Sequence, residues 1–316
     1  MVGSLGLLLV LGSGLLWARS ERDAAALREW QHELPRALEL ARRHARPLHV
    51  HFTSAAAPLA ARMNDTLALA PVKSVAMSRF VNVRLDAPSQ PELFRRLSGN
   101  AGALASVVVD VSASGDLDPV AVALGYLDAE RYLMFLDGAA ATLPRLRELR
   151  DGRGGEATAQ LALGELYAAH GSLARARTVL ESLRDVAVRA RAVERLARVD
   201  LEAGHVAQAR RRLDEARSLG LGADQLWLTE ARLLAKERRV SEAVSLLSLG
   251  VSTERAPDEH ASGLLLLAQL EHELKRDTEA LTHLAQLRRD APGSDWARLA
   301  LERIDHIENP QPDHQH

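Results

Sequence analysis

The chain of 316 residues contains no cysteine. Disulfides, thiolate nucleophiles, cysteine-ligated zinc and iron–sulfur clusters are therefore excluded by stoichiometry, whatever the fold. An excess of positive charge is also missing. Lys and Arg number 40 against 42 Asp and Glu, a net charge of −2, so nothing neutralises a phosphate backbone and nucleic acid is not expected as a partner. Lysine itself is scarce: Lys73, Lys236 and Lys275 are the whole set. What is abundant is Ala, Leu and Arg, the bias of a GC-rich bacterial genome. A content of 47% hydrophobic and 26% charged residues is that of an ordinary globular protein of roughly two domains, and it excludes disorder and collagen-like structure.

Residues 2–17, VGSLGLLLVLGSGLLW, carry no charge. As a helix they would span roughly 24 Å, near the lower limit for crossing a bilayer. Residues 1–20 are therefore expected to be a signal or anchor helix, with an uncleaved anchor favoured because no basic residue precedes the apolar run. Arg19 and Arg22 follow the span, and the positive-inside rule then argues for a cytoplasmic body, which leaves the side of the membrane open. Without cysteine the chain cannot be a lipoprotein.

The next segment alternates helix and strand. Residues 29–44 have helical apolar spacing (Trp30, Leu34, Ala37, Leu38, Ala41), and Pro47 ends them just before LHVHF at 48–52. FVNVRL at 80–85 has the period of a strand, SVVVDV at 106–111 reads as a buried one, and a fourth is expected around 120–124. The class that follows is mixed α/β. His49 and His51 lie on one face of a strand, where hydrogen-bonded structural imidazoles are expected rather than a metal site. Asn64, Asp65 and Thr66 match a glycosylation sequon but read as a helix-start turn, and Asp86 reads as a turn former. No metal and no cofactor are expected.

The string from Trp30 through ARRHARPLHVHFTS, FVNVRLDA, VVVDVSASGDL and GYLDAERYLMFL resembles the thioredoxin fold, specifically the bacterial thioredoxin-like family, over about Trp30 to Leu136, within a domain expected at 24–140. In that family the first strand runs into Trp-Cys-x-x-Cys at a helix start, where the helix dipole makes the first cysteine a nucleophilic thiolate. The resemblance places the Trp position at Ala56, the two cysteines at Ala57 and Ala60, and the family's cis-proline at Ala105. All four are alanine. Thiol–disulfide exchange is impossible with methyl groups there, and degeneration of one active site accounts for all four together. A groove beside a helix N-terminus would remain, able to hold an extended peptide.

Asp-Gly-Arg-Gly-Gly at 151–155 is the one glycine-dense break, and only helical periodicity follows it. Four segments then align on Ala176, Ala209, Ala243 and Ala280, at spacings of 33, 34 and 37 residues. Residues 157–292 resemble tetratricopeptide (TPR) repeats, within a domain expected at 156–308, with Leu163, Gly164, Tyr167, Ala176 and Leu180 on the family's signature positions. In the second repeat Asp200 stands where the first has Tyr167. A capping helix is expected from Trp296 to Ile307, followed by a disordered tail at 309–316. The expected fold class is thus an α/β thioredoxin-like domain followed by an all-α TPR solenoid.

In such arrays the first helix of each pair lines the concave face where partners dock. Glu165, Glu194, Arg198, Arg232, Lys236, Gln269 and His272 are expected there. Arg210, Arg211 and Arg212 read as a solvated helix face. The functional expectation is a non-catalytic interaction or assembly module of the bacterial cell envelope. It would bind a protein or peptide through the TPR face and the membrane through its N-terminal helix. The alternatives are a thiol–disulfide oxidoreductase, against which the missing cysteines argue, and a redox-independent peptide-binding chaperone.

Overall fold

The computed structural model describes residues 21–100, 102–111, 116–151 and 156–309. The expected anchor at 1–20, four residues of the glycine-rich break and the tail beyond Asn309 lie outside the described residues. Among the described residues no helix is long and apolar enough to cross a membrane. The chain divides into two compact units, the first ending at Val179 and the second beginning at Leu180.

In the first unit the order is α1 (Leu34–His44), β1 (Leu48–Thr53), α2 (Ala60–Ala68), α3 (Ala70–Arg79), β2 (Val81–Asp86), α4 (Pro91–Ser98), β3 (Ala105–Val111), β4 (Leu117–Leu124), α5 (Ala129–Asp151), α6 (Ala157–Ala169) and α7 (Leu173–Ser182). The strands form one mixed sheet in the order β2-β1-β3-β4. β1 pairs parallel with β2 and antiparallel with β3, and β3 pairs antiparallel with β4. Period-two alternation in β1 separates two environments. Leu48, Val50 and Phe52 join Val83, Val107 and Val109 in an apolar core with Ala37 and Leu40 of α1 and Phe94 and Leu97 of α4. His49 and His51 turn the other way, into a buried polar network described below.

Two expectations shift here. Residues 21–26 are already helical, and the helix that leads into β1 begins at Leu34, not at residue 29, because Pro35 in its first turn sets φ for a helix start and removes a donor that has no helical partner anyway. Gln31 instead pairs with the edge of β2, its N–H donating to the Asn82 carbonyl at 2.8 Å and its carbonyl accepting from Arg84 at 2.9 Å. Asn64, Asp65 and Thr66 fall inside α2 rather than at its start.

The division inside α7, rather than at 151–155, has a physical cause in the first unit. β4 is an edge strand, and the turn joining α6 to α7 covers it. The Val122 N–H donates to the His170 carbonyl at 2.8 Å, and the Ser172 hydroxyl donates to the Pro119 carbonyl at 2.6 Å. Gly171 between them has φ +74°, and a Cβ there would stand 2.4 Å from the Val122 oxygen. Only glycine fits this approach. The buried Tyr167 hydroxyl donates to Asp118 at the start of the same strand. An exposed edge is thereby closed against pairing with another chain.

The second unit is helical: α8 (Val186–Glu202), α9 (Val206–Ser218), α10 (Ala223–Lys236), α11 (Val240–Val251), α12 (Pro257–Glu273), α13 (Asp277–Asp290) and α14 (Asp295–Glu308). Three pairs are joined by short turns in which Gly204, Arg238 and Lys275 adopt positive φ. Ala209, Ala243 and Ala280 are fully buried, so the aligned alanines are close-approach positions of the second helix in each pair. Trp227 explains two further small residues. A Cβ on Gly250 would come within 2.1 Å of its ring, and one on Gly263 within 2.4 Å. Glycine in mid-helix costs about 1 kcal/mol relative to alanine, offset here by burial of a whole indole.

Asp200 is buried and accepts from the Arg212 Nε at 2.7 Å, while Arg212 also pairs with Glu181 at 2.8 Å. Arg212 therefore does not belong to a solvated face, as the run of three arginines suggested. Its side chain is 14% exposed, because it compensates a carboxylate that the helical packing has desolvated.

Candidate docking cleft and the alanine loop

On α8, Arg191, Arg195 and Arg198 are spaced i, i+4, i+7 and so form one stripe. They line a cleft of about 710 Å³ together with Thr229 and Arg232 of α10, Ser262 of α12 and Trp296. The stripe is not uniformly compensated. Arg195 pairs with the buried Glu194, which also accepts from the Thr229 hydroxyl. Arg232 donates only to the Ser262 hydroxyl, at 2.8 Å. Arg198 has no hydrogen bond or ion pair among the described residues, and its nearness, after burial itself, pushes the Arg232 pKa down. Two like charges thus stand side by side on a partly desolvated wall.

The opposite rim carries Glu254, Asp258 and Glu259, two of which accept hydrogen bonds from indoles. Glu259 accepts from the Trp227 indole at 2.8 Å and Asp258 from the Trp296 indole at 3.2 Å. Arg255 lies 5.1 Å over the Trp227 ring and donates to the Asp224 carbonyl at 2.6 Å. The cleft can offer two guanidinium groups to an anionic group on a ligand, flanked by apolar surface from Leu221 and Leu228.

Of the seven expected partner-binding residues, the structure brings Glu194, Arg198 and Arg232 together in this cleft. Glu194 is buried among its own partners. Lys236 is exposed at the end of α10, Gln269 is half-buried on α12, and His272 is engaged with Asp277 at 2.6 Å; none of the three lines the cleft. Glu165 lies on α6, in the first unit. Arg191 and Arg195 were missed, although the i, i+4, i+7 spacing leading to Arg198 contained them.

In the first unit, the alanine loop after β1 is held by its own backbone. The Ala56 N–H donates to the Ser54 hydroxyl at 3.2 Å, the Ala57 N–H to the Ser54 carbonyl at 3.0 Å, and the Ala60 N–H to the Ala57 carbonyl at 3.0 Å. Ala105 opens β3, buried and paired with Phe52 and Leu124, and no peptide bond among the described residues is cis. Ala56, Ala57 and Ala60 line a second cleft, of about 600 Å³.

No family model matches the chain, and no curated protein matches it. Among solved structures it is similar to the solution structure of a thioredoxin from Thermus thermophilus, at 26% identity and a TM-score of 0.33, over 40% of this chain and 92% of that chain.

Beneath the loop, the buried polar network has a defined direction. Asn82 donates its amide to the Ala76 carbonyl at 3.0 Å, which turns its oxygen toward His49 Nδ1 at 2.7 Å. His49 Nδ1 is then the donor, and its Nε2 accepts from the Tyr132 hydroxyl at 2.7 Å. Tyr132 in turn accepts from Ser106 at 2.7 Å, and Ser106 from His51 Nδ1 at 3.0 Å. The chain ends at His51 Nε2, which is buried without a partner. Burial lowers the His49 pKa to about 4 and that of His51 to about 3, so both imidazoles are neutral near pH 7.

Proposed function

We propose that this chain is a non-catalytic protein-interaction module of the bacterial cell envelope. In this reading a thioredoxin-like unit that has lost its redox groups accompanies a TPR array, and an N-terminal helix anchors the chain to the membrane. The TPR assignment rests on the 33- to 37-residue spacing of the aligned alanines and on their burial in the second helix of each pair. The observation that carries the docking role is the α8–α10 cleft, where, among the described residues, Arg198 has no hydrogen-bond acceptor and Arg232 donates to a hydroxyl alone. A partner segment with an acidic side chain would supply the missing charge. Thiol–disulfide exchange has no group to perform it, since Ala57 and Ala60 occupy the two thiol positions.

The test is site-directed photocrosslinking in membranes of the source cell, from Gln225 in the cleft and from Arg211 on the exposed outer face of α9. The expected result is a discrete adduct from Gln225, absent from Arg211, whose partner peptide contains an Asp or Glu and whose yield drops on Arg198→Glu. Equal yields from both positions, or an adduct insensitive to Arg198→Glu, would remove the cleft as the docking site.

A further inference from the structure

The first unit holds a second unpaired guanidinium, independent of the helical cleft. Arg84 lies on β2, opposite His51 in the strand register. Its guanidinium carbon stands 5.0 Å over the Trp30 ring, a cation–π arrangement that fixes the plane of the group. Arg84 is half-buried, yet its guanidinium has no hydrogen bond or ion pair among the described residues, and its Nε is buried without a partner. Burial pushes its pKa down, and its attractive neighbour is the Tyr132 hydroxyl rather than a carboxylate. The burial of Tyr132 raises its pKa, so the hydroxyl is uncharged near neutrality. His51, across the register, is neutral as well. A positive charge half-withdrawn from water, with no counter-charge beside it among the described residues, is a charge left for a ligand.

The surroundings narrow what that is. Arg84 walls the 600 Å³ cleft in front of the alanine loop, whose other walls include Ala57, Pro58, Ala60 and Ala61, with Ser54 and Asn64 as polar groups. One guanidinium, without a second cation in the lining, matches a monoanion better than a phosphate dianion. The small apolar walls leave room for an aliphatic stem and would exclude water from it.

We propose that Arg84, held flat by Trp30, binds a carboxylate carried on a short apolar stem that lies against Ala57 and Pro58. Two sources share this chemistry: a free short-chain carboxylic acid, and the C-terminus of a peptide ending in a small aliphatic residue.

The experiment uses the full ¹⁵N-labelled chain and follows the Trp30 indole and Arg84 Nε resonances. Four probes are titrated at constant ionic strength: butyrate, the tripeptide acetyl-Gly-Ala-Val with a free C-terminus, the same peptide as its amide, and inorganic phosphate. Saturable shifts at both resonances are expected with butyrate, the free-acid peptide or both, and the two arms separate the sources. The amide and phosphate should produce none. Arg84→Gln should weaken binding read at Trp30 by about tenfold or more. Ala57→Leu, which keeps Arg84 and fills the cleft, should weaken it similarly, and it serves as the decisive variant if Arg84→Gln does not fold. The proposal is overturned if neither carboxylate gives a saturable shift, if phosphate binds as well as butyrate, or if a folded variant binds as tightly as the parent.

Discussion

Around Asp110 and Asp118 three arginines of the first unit find carboxylates. Arg147 and Arg150 each reach Asp110 at 2.6 Å, Arg150 reaches Asp118 at 3.0 Å, and Arg175 pairs with Asp118 at 2.6 Å. In the α8–α10 cleft of the second unit, Arg198 and Arg232 make no ion pair among the described residues, although the charges of Glu202 and Glu194 act on Arg232 from farther off. The same residue type therefore does two different jobs. Where both carboxylates are buried, the arginines are part of the fold, because either partner alone would leave an uncompensated charge. Where the arginines make no ion pair, their removal should cost the fold little, and in the proposed reading they are left for a ligand. Arginine count alone does not separate these roles, whereas the presence of a buried acceptor does.

The largest expected effect comes from breaking the satisfied side. Asp118→Ala should leave Arg175 and the Tyr167 hydroxyl without their acceptor and Arg150 with Asp110 alone, and cost about 3–5 kcal/mol in denaturant unfolding. Arg198→Ala should change stability by less than about 0.5 kcal/mol in the same assay. Equal losses from the two would erase the distinction.

Acid sharpens the comparison. Below pH 6.5 the unfolded histidines take up protons that folded His49 and His51 refuse until about pH 4 and 3, so stability should fall as pH drops through that window. The expected loss is on the order of 2–4 kcal/mol between pH 6.5 and 4.5. His51→Leu should flatten that slope, as measured by unfolding at several pH values. Asp110, whose carboxyl the Arg147 and Arg150 guanidinium groups hold below the usual range despite burial, adds its own loss only at lower pH, as it protonates. Substituting Arg198 should leave the slope unchanged.

A smaller effect separates neighbours within one run. Arg212→Ala should destabilise the second unit by about 2–3 kcal/mol because it strands the buried Asp200, while Arg211→Ala should be close to neutral, as thermal unfolding would show.

The strands were legible because their alternation or apolar continuity survives in any context: LHVHF, FVNVRL and SVVVDV each lie where the pattern put them, within a residue at either end. Trp30 was misassigned to a helix because its apolar spacing matched, although Pro35 downstream sets the real start. Asp200 looked like a degraded repeat position. Its partner Arg212 is twelve residues away on another helix, and pairing across helices leaves no local signal. Arg198 and Arg232 were legible from repeat register. Lys236 and His272 were not, since the register that marks a first helix does not say how far along it the cleft extends. The unpaired state of Arg84 has no sequence signature at all, because it depends on which acids the fold brings near.

In the proposed reading Arg198 and Arg232 of the cleft are the docking groups. The direct test is the affinity of the full chain for the partner segment identified by crosslinking at Gln225, measured by calorimetry for the parent chain, for Arg198→Gln and for Arg175→Gln. Arg198→Gln should weaken binding about tenfold with unfolding stability unchanged, while Arg175→Gln should lower stability and leave affinity alone in the folded fraction. Unchanged affinity in Arg198→Gln would contradict the claim.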